Sequence, residues 1–139
     1  MDRTKLQSDL VSDEGKRRFP YYDSVGKLTI GVGHNLTDLG LSDAAINFIL
    51  NEDIENHLAE LRSAWPAFDS LDEVRQRVLA NMAFNLGVAG LLQFKNTLAA
   101  IETGDYIGAA VKMRSSKWAK QVCQRAERLA VMMATGQDT

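Results

Sequence analysis

Glu14 and Asp23 stand nine positions apart in the stretch SDEGKRRFPYYDS, which also holds Gly15 and Pro20. Two carboxyl groups can divide acid and base work between them. One, kept protonated, gives a proton to a leaving group, and the other, kept ionised, takes one from water. Thr29 follows closely, with a hydroxyl that could place that water. Gly31 and Gly33 would let a substrate ring approach the backbone. The residues alone leave a plainer reading open, in which both acids are solvated surface charge. Strand glycines can mark a bulge, and threonine is a common strand residue.

The elements around these residues decide whether such chemistry is feasible. Leu6, Leu10 and Val11 recur near helical spacing, which predicts a helix over about 4–13. Gly15 accepts the conformation that ends it. Glu14 then falls at a helix C-terminus, where unpaired carbonyls disfavour a charged carboxylate. The run KLTIGVGH alternates Leu28, Ile30 and Val32 against Thr29, Gly31 and Gly33, the period of a half-buried strand. DSVG before it reads as a hairpin turn, whose amides and water would keep Asp23 ionised.

Everything after Ser42 reads as helical. Ser42 can cap a helix to about Arg62, with Ile46, Ile49, Leu50, Ile54, Leu58 and Leu61 on one side. Ser70 and Glu73 match a capping box for the helix that follows. The expected fold class is α+β, mostly α. A small N-terminal lobe with a β-hairpin spans about 14–41 and a linking helix about 42–62. A larger helical lobe takes about 1–13 plus 63–139, within a single domain over 1–139.

Composition limits the functions available. The chain has 139 residues, 45% hydrophobic and 24% charged, with a net charge of −2. That suits one folded domain and argues against nucleic acid as a partner. Its charge is uneven: six Lys and Arg against three acids from Asp105 onward give +3, leaving −5 in the first 104 residues. A basic C-terminal part could face an anionic polymer, or be a solvated helix face. One cysteine forms no internal disulfide. With only two histidines beside it, a metal site is not expected. No apolar run approaches the roughly 20 residues of a membrane span, so stable membrane insertion is not expected. The N-terminus MDRTKLQSDL lacks the apolar core of a signal peptide.

The stretch DEGKRRFPYYDSVGKLTIGVGHNLT resembles the signature of the phage-type lysozymes. The similarity continues through FDSLDEVRQRVLANMAFNLG, FKNTL, SSKW and QRAERL, nearly the whole chain. The resemblance implies a lysozyme-like fold with a sugar chain bound between its lobes. It implies hydrolysis of the β-1,4 bond from N-acetylmuramic acid to N-acetylglucosamine in peptidoglycan, with inversion and without a cofactor. Glu14 would be the general acid, Asp23 would activate the attacking water, and Thr29 would position it. Arg125 would lean on Glu14 and favour its charged form, opposing the helix end. The segment between His34 and Ser42 is shorter than in the longest family members, which implies a reduced cleft lip. The slightly acidic net charge also departs from several basic relatives.

Further residues have two readings each. Gly31, Gly33 and His34 could support substrate; His34 is otherwise a packed, hydrogen-bonded residue with Asp53 as a candidate partner. Asn85, Asn96 and Thr97 could bind sugar or peptide groups, or serve as capping and surface polar residues. Trp65, Trp118, Phe84 and Phe94 are expected in the core, and Cys123, Met132 and Met133 in packing. The alternatives to a muramidase are a lytic transglycosylase, which needs no water-activating Asp, and a non-catalytic wall-binding module, which needs neither acid. The expected partner is the peptidoglycan glycan strand, met by a monomer. The expected setting is a phage endolysin made in the host cytoplasm without a signal peptide. It would act on the wall after release, or be carried by a virion.

Overall fold

The computed structural model describes residues 1–139. The chain is α+β and mostly helical, with one three-stranded antiparallel sheet near its N-terminus and nine α-helices. Two compact units, Met1–Phe48 and Ile49–Thr139, divide within the long helix. The first unit thus includes the N-terminal helix. The assignment of 1–13 to the helical lobe stands as a proposal.

Helix α1, Arg3–Glu14, starts where the Asp2 side chain accepts from the Lys5 amide at 3.1 Å. It stops at Gly15, whose φ of 78° few other residues tolerate and whose N–H returns to the Val11 carbonyl. Its apolar stripe is present but uncovered: Leu6, Leu10 and Val11 are exposed, and no residue of α1 is buried. Periodicity predicts a stripe, not what covers it.

Strands β1 (Arg17–Tyr22), β2 (Leu28–Gly31) and β3 (His34–Asn35) form the sheet in that order. The single strand expected through KLTIGVGH is in fact two strands and a turn. Gly31 and Gly33 both take positive φ, 67° and 65°, and swing the chain back. Thr29 then faces Asn35 and Ile30 faces His34. The burial phase is also reversed, because Thr29 is 4% exposed while Val32 in the turn is 37% exposed. Between Arg17 and Tyr21 the β1–β2 register is interrupted by a bulge that holds Pro20. Proline has no N–H to give a ladder, so an edge bulge suits it.

A short helix α2 (Leu36–Leu39) leads to α3 (Asp43–Ala64), where Ser42 Oγ accepts from the Ala45 amide at 3.1 Å, as expected of its cap. Of the predicted apolar side of α3 only Leu61 is buried, with Leu58 packed partly against the core.

In the second unit a 3-10 turn, Pro66–Ser70, precedes α4 (Glu73–Leu86), α5 (Val88–Leu92), α6 (Lys95–Glu102), α7 (Tyr106–Arg114), α8 (Lys117–Val122) and α9 (Gln124–Thr135). These surround one core that includes Leu61, Phe68, Leu79, Met82, Met113 and Leu129. Trp65, Trp118, Met132 and Met133 are buried there as expected, and Phe94 packs against it. Phe84 is not in the core. It is 42% exposed and tilts against the His57 ring at 5.2 Å. Cys123 is exposed, not packed, and occupies the junction of α8 and α9 with φ 45°. A junction of two helices without a glycine requires one residue to leave the helical region, and Cys123 is that residue.

The cap of α4 differs from the expected Ser70–Glu73 box. Ser70 closes the 3-10 turn, Leu71 is extended, and Asp72 is the first residue placed to cap. Asp72 Oδ1 accepts from the Arg75 amide at 3.0 Å and Oδ2 from Arg75 Nη1 at 2.9 Å. Partial burial pushes the Asp72 carboxyl up, but the Arg75 amide and guanidinium hold it below the usual carboxylate range. Arg75 also lies 3.6 Å over the Tyr106 ring and donates to the Met133 carbonyl at 2.8 Å. One guanidinium therefore joins the start of α4 to α7 and the end of α9.

Asp72→Ala should lower stability by about 1 kcal/mol, the usual cost of a lost helix cap. Ser70→Ala should leave the denaturation midpoint unchanged. A carboxyl whose folded pKa is depressed stabilises above its unfolded pKa and loses that contribution as pH falls through the folded value. The gap between parent and Asp72→Asn, which keeps a capping oxygen without the charge, should therefore shrink below about pH 4. Urea titrations at pH 7 and pH 3 measure both effects.

Candidate active site

Asp23 follows β1 and opens the turn into β2. Its Oδ1 accepts from the Lys27 amide at 2.8 Å and the Val25 amide at 3.0 Å. Its own amide donates to the Lys27 carbonyl at 2.9 Å. The same carbonyl accepts the Thr29 hydroxyl at 2.9 Å. Lys27 thus ties both side chains to the backbone of one residue. The Thr29 proton is committed to Lys27, so its oxygen is left to accept. Oδ2 of Asp23 has no hydrogen bond from the protein, so the carboxylate also retains an accepting oxygen.

Lys27 is fixed in turn. Its ammonium meets Asp38 Oδ1 at 3.1 Å. That hydrogen bond, with a second from the Asn35 amide, holds the Asp38 carboxyl below the usual range. The Leu28 amide donates to Thr37 Oγ1 at 2.8 Å, so α2 backs the turn at two points. Both ties make the Asp23–Thr29 arrangement part of a folded unit.

Glu14 is the last residue of α1, and its exposed side chain runs to the β2–β3 turn. A Cβ built at Gly33 would stand 3.1 Å from Glu14 Oε2 and 3.2 Å from its Cδ. Gly33 thus matters for more than its positive φ: a side chain there would press on the Glu14 carboxyl and shift it by a few tenths of an ångström. Gly31, with a similar φ, has open space at that position. Asp23 is tied to Lys27, just before β2, and Glu14 approaches Gly33, just after it, with Thr29 and Gly31 on the strand between.

Other expected residues have definite partners. His34 Nε2 meets the Gly40 carbonyl at 2.5 Å, so the loop carbonyl is its partner within the first unit. In the second unit, Asn85 Oδ1 accepts from Trp118 Nε1 at 2.9 Å, which satisfies a buried indole. Asn96 is exposed on α6 and Thr97 is buried beside it. Arg125 donates to Asn81 Oδ1 at 2.9 Å and to the Asn81 carbonyl at 3.2 Å. Arg125 and Asn81 line a groove of about 570 Å³ with Phe84, Arg128, Leu129 and Met132, wholly within this unit. The sequence reading missed Asn81. Its spacing of four from Asn85 on α4 was the available signal. It also missed Lys27, a role that backbone groups perform and no side-chain pattern announces. No cluster of His, Cys, Asp and Glu suits a metal ion, and no helix is long and apolar enough to cross a membrane.

Residues 11–131 match the family described as phage lysozyme. The chain belongs to the phage lysozyme family. It is also 30% identical to the pre-baseplate central spike protein Gp5 of Enterobacteria phage T4, over 91% of this chain but only 27% of that protein. Probable T4-type lysozymes 2 and 1 of Dictyostelium discoideum are 26% and 28% identical, each covering 96% of this chain and 95% of the relative. Those two alignments run to 162 and 163 positions, more than the chain's 139 residues, so they contain gaps. Membership places the chain among lysozyme-type glycosidases.

Two glycine variants separate backbone strain from site geometry. Gly31→Ala and Gly33→Ala should each lose about 1–2 kcal/mol, because both impose a side chain at positive φ. Only Gly33→Ala should also displace the Glu14 carboxyl. Lytic activity measured well below both melting temperatures should therefore fall much further for Gly33→Ala. Equal activity losses would show that the Gly33–Glu14 contact is without consequence.

Proposed function

We propose that the protein is a muramidase that hydrolyses the β-1,4 bond between N-acetylmuramic acid and N-acetylglucosamine, with inversion. The observation that carries this reading is the pairing of Asp23 with Thr29 through Lys27, at the end of β2 opposite Glu14. Glu14 donates a proton to the glycosidic oxygen as the bond to the anomeric carbon breaks. A water held by Asp23 and Thr29 attacks that carbon from the other face. Both holding groups offer acceptors, so the water spends its protons on them and keeps a lone pair for attack. Asp23 takes the proton that the water loses.

The hydrogen-bonded Asp23 favours hydrolysis over a lytic transglycosylase, which needs no water to be activated. The presence of both acids favours an enzyme over a wall-binding module. Asn85, Asn96, Thr97 and Arg125 remain supporting residues in this proposal, with Gly31, Gly33 and His34. We take the role to be that of an endolysin, acting on peptidoglycan as a monomer. The spike relative supplies the alternative of a virion-carried wall-cutting domain.

Glu14→Gln should keep its melting temperature and lose at least ~10²-fold in activity, as expected of a general acid. An inverting pair should have its carboxyl groups roughly 6.5–9.5 Å apart, leaving room for the water. NMR of the first-formed product should then show the α-anomer, and mass spectrometry a reducing muramic acid end. A β-anomer would make Asp23 a nucleophile, and an anhydro end would establish the transglycosylase.

A further inference from the structure

Arg17 and Tyr21 share the sheet face that carries Thr29. In an antiparallel pair, directly opposed residues project to the same side. Arg17 opposes Gly31 and Tyr21 opposes Thr29, and Gly31 and Thr29 are two apart on β2. The guanidinium carbon of Arg17 accordingly lies 4.9 Å from the centre of the Tyr21 ring. Arg17 is exposed, and its guanidinium makes no hydrogen bond within the chain and has no carboxylate partner within ion-pair distance. Arg62, Arg75, Arg77 and Arg114 each have an acid partner, whereas Arg3, Arg18, Arg125 and Arg128 share with Arg17 the lack of one.

A guanidinium resting on an aromatic face is held in place without using its donors. Its planar fork matches a carboxylate, and Gly31 opposite leaves the space above the strand open. We infer that Arg17, seated on Tyr21, is a subsite for a carboxylate of the peptide stems that decorate the glycan strand. The inference rests on the reading of the protein as a peptidoglycan hydrolase and adds a determinant of substrate choice to it. The lactyl carboxyl of an intact strand is already amide-bonded to its stem, so the stem supplies the free carboxylates. β1 connects Glu14 to Asp23, so a strand engaged by both acids passes beside Arg17. The β-hairpin then reads the charge of the stem while the acids act on the sugar.

Binding separates this subsite from catalysis. Sacculi are prepared in native form and with their carboxyl groups converted to primary amides. Glu14→Gln protein, which cannot cut them, should bind the native sacculi about tenfold more tightly, the scale of one charge-assisted contact. Adding Arg17→Met should abolish that preference, and adding Arg17→Lys should retain most of it. Adding Arg18→Met removes the same charge from the same strand and should leave the preference intact. The inference is overturned if Glu14→Gln protein shows no preference, if Arg17→Met keeps it, or if Arg18→Met loses it equally. Failure of the unsubstituted protein to release reducing ends would sink the hydrolase reading instead, whatever the binding result.

Discussion

Two backbone amides, of Val25 and Lys27, converge on one oxygen of Asp23, and the Asp23 amide returns to the Lys27 carbonyl. This closure fixes where β2 begins and therefore which residue opposes which across the sheet. Thr29 hangs from the same carbonyl, and Lys27 is braced by Asp38. A loosened turn would move the carboxylate, the hydroxyl and the strand together. Backbone groups therefore set the geometry of the Asp23 carboxylate, and the side chain proposed as the base also closes the turn. Glu14 depends on different restraints, a helix end and a glycine against which its carboxyl lies.

The second unit is organised by ordinary core packing, with Arg75 as its main polar tie. Its guanidinium stacks on Tyr106, pairs with Asp72 and donates to the final turn of α9. Last-turn carbonyls of a helix lack intrahelical donors, so a fixed arginine there meets a real need. The same economy appears where Asn85 receives the Trp118 indole and Asn81 receives Arg125. Polar residues that could bind sugar are thus already employed in holding helices together. Such employment does not exclude contact with substrate, because an amide oxygen engaged in the fold leaves its NH₂ free.

Much of this was legible because it is local. The end of α1 at Gly15, the DSVG turn and the Ser42 cap each depend on residues within a few positions of one another. What was illegible depends on choices among equivalent local signals. Ser70 and Asp72 can both cap a helix, and the preceding 3-10 turn decided between them. Gly31 and Gly33 fit a bulge or a turn equally well, and pairing of β2 with His34–Asn35 decided for the turn. Phe84 obeys the helical period yet lies on a groove, because period gives a face and not its depth. The acids were picked out by spacing and by family resemblance. The approach of Glu14 to Gly33 joins elements nineteen residues apart and has no sequence signature.

β1 is an edge strand, and its free rim of peptide groups could template pairing with a second chain. The bulge and Pro20 interrupt that rim, and Lys16, Arg17 and Arg18 surround it with like charge. Cations on an edge are a common defence against self-association. The positive charge that opposes edge pairing between identical molecules is thus the same charge that would draw the hairpin to an anionic polymer. Solubility and attraction to polyanions are coupled through three consecutive residues. Neither property can be tuned there by evolution or engineering without moving the other.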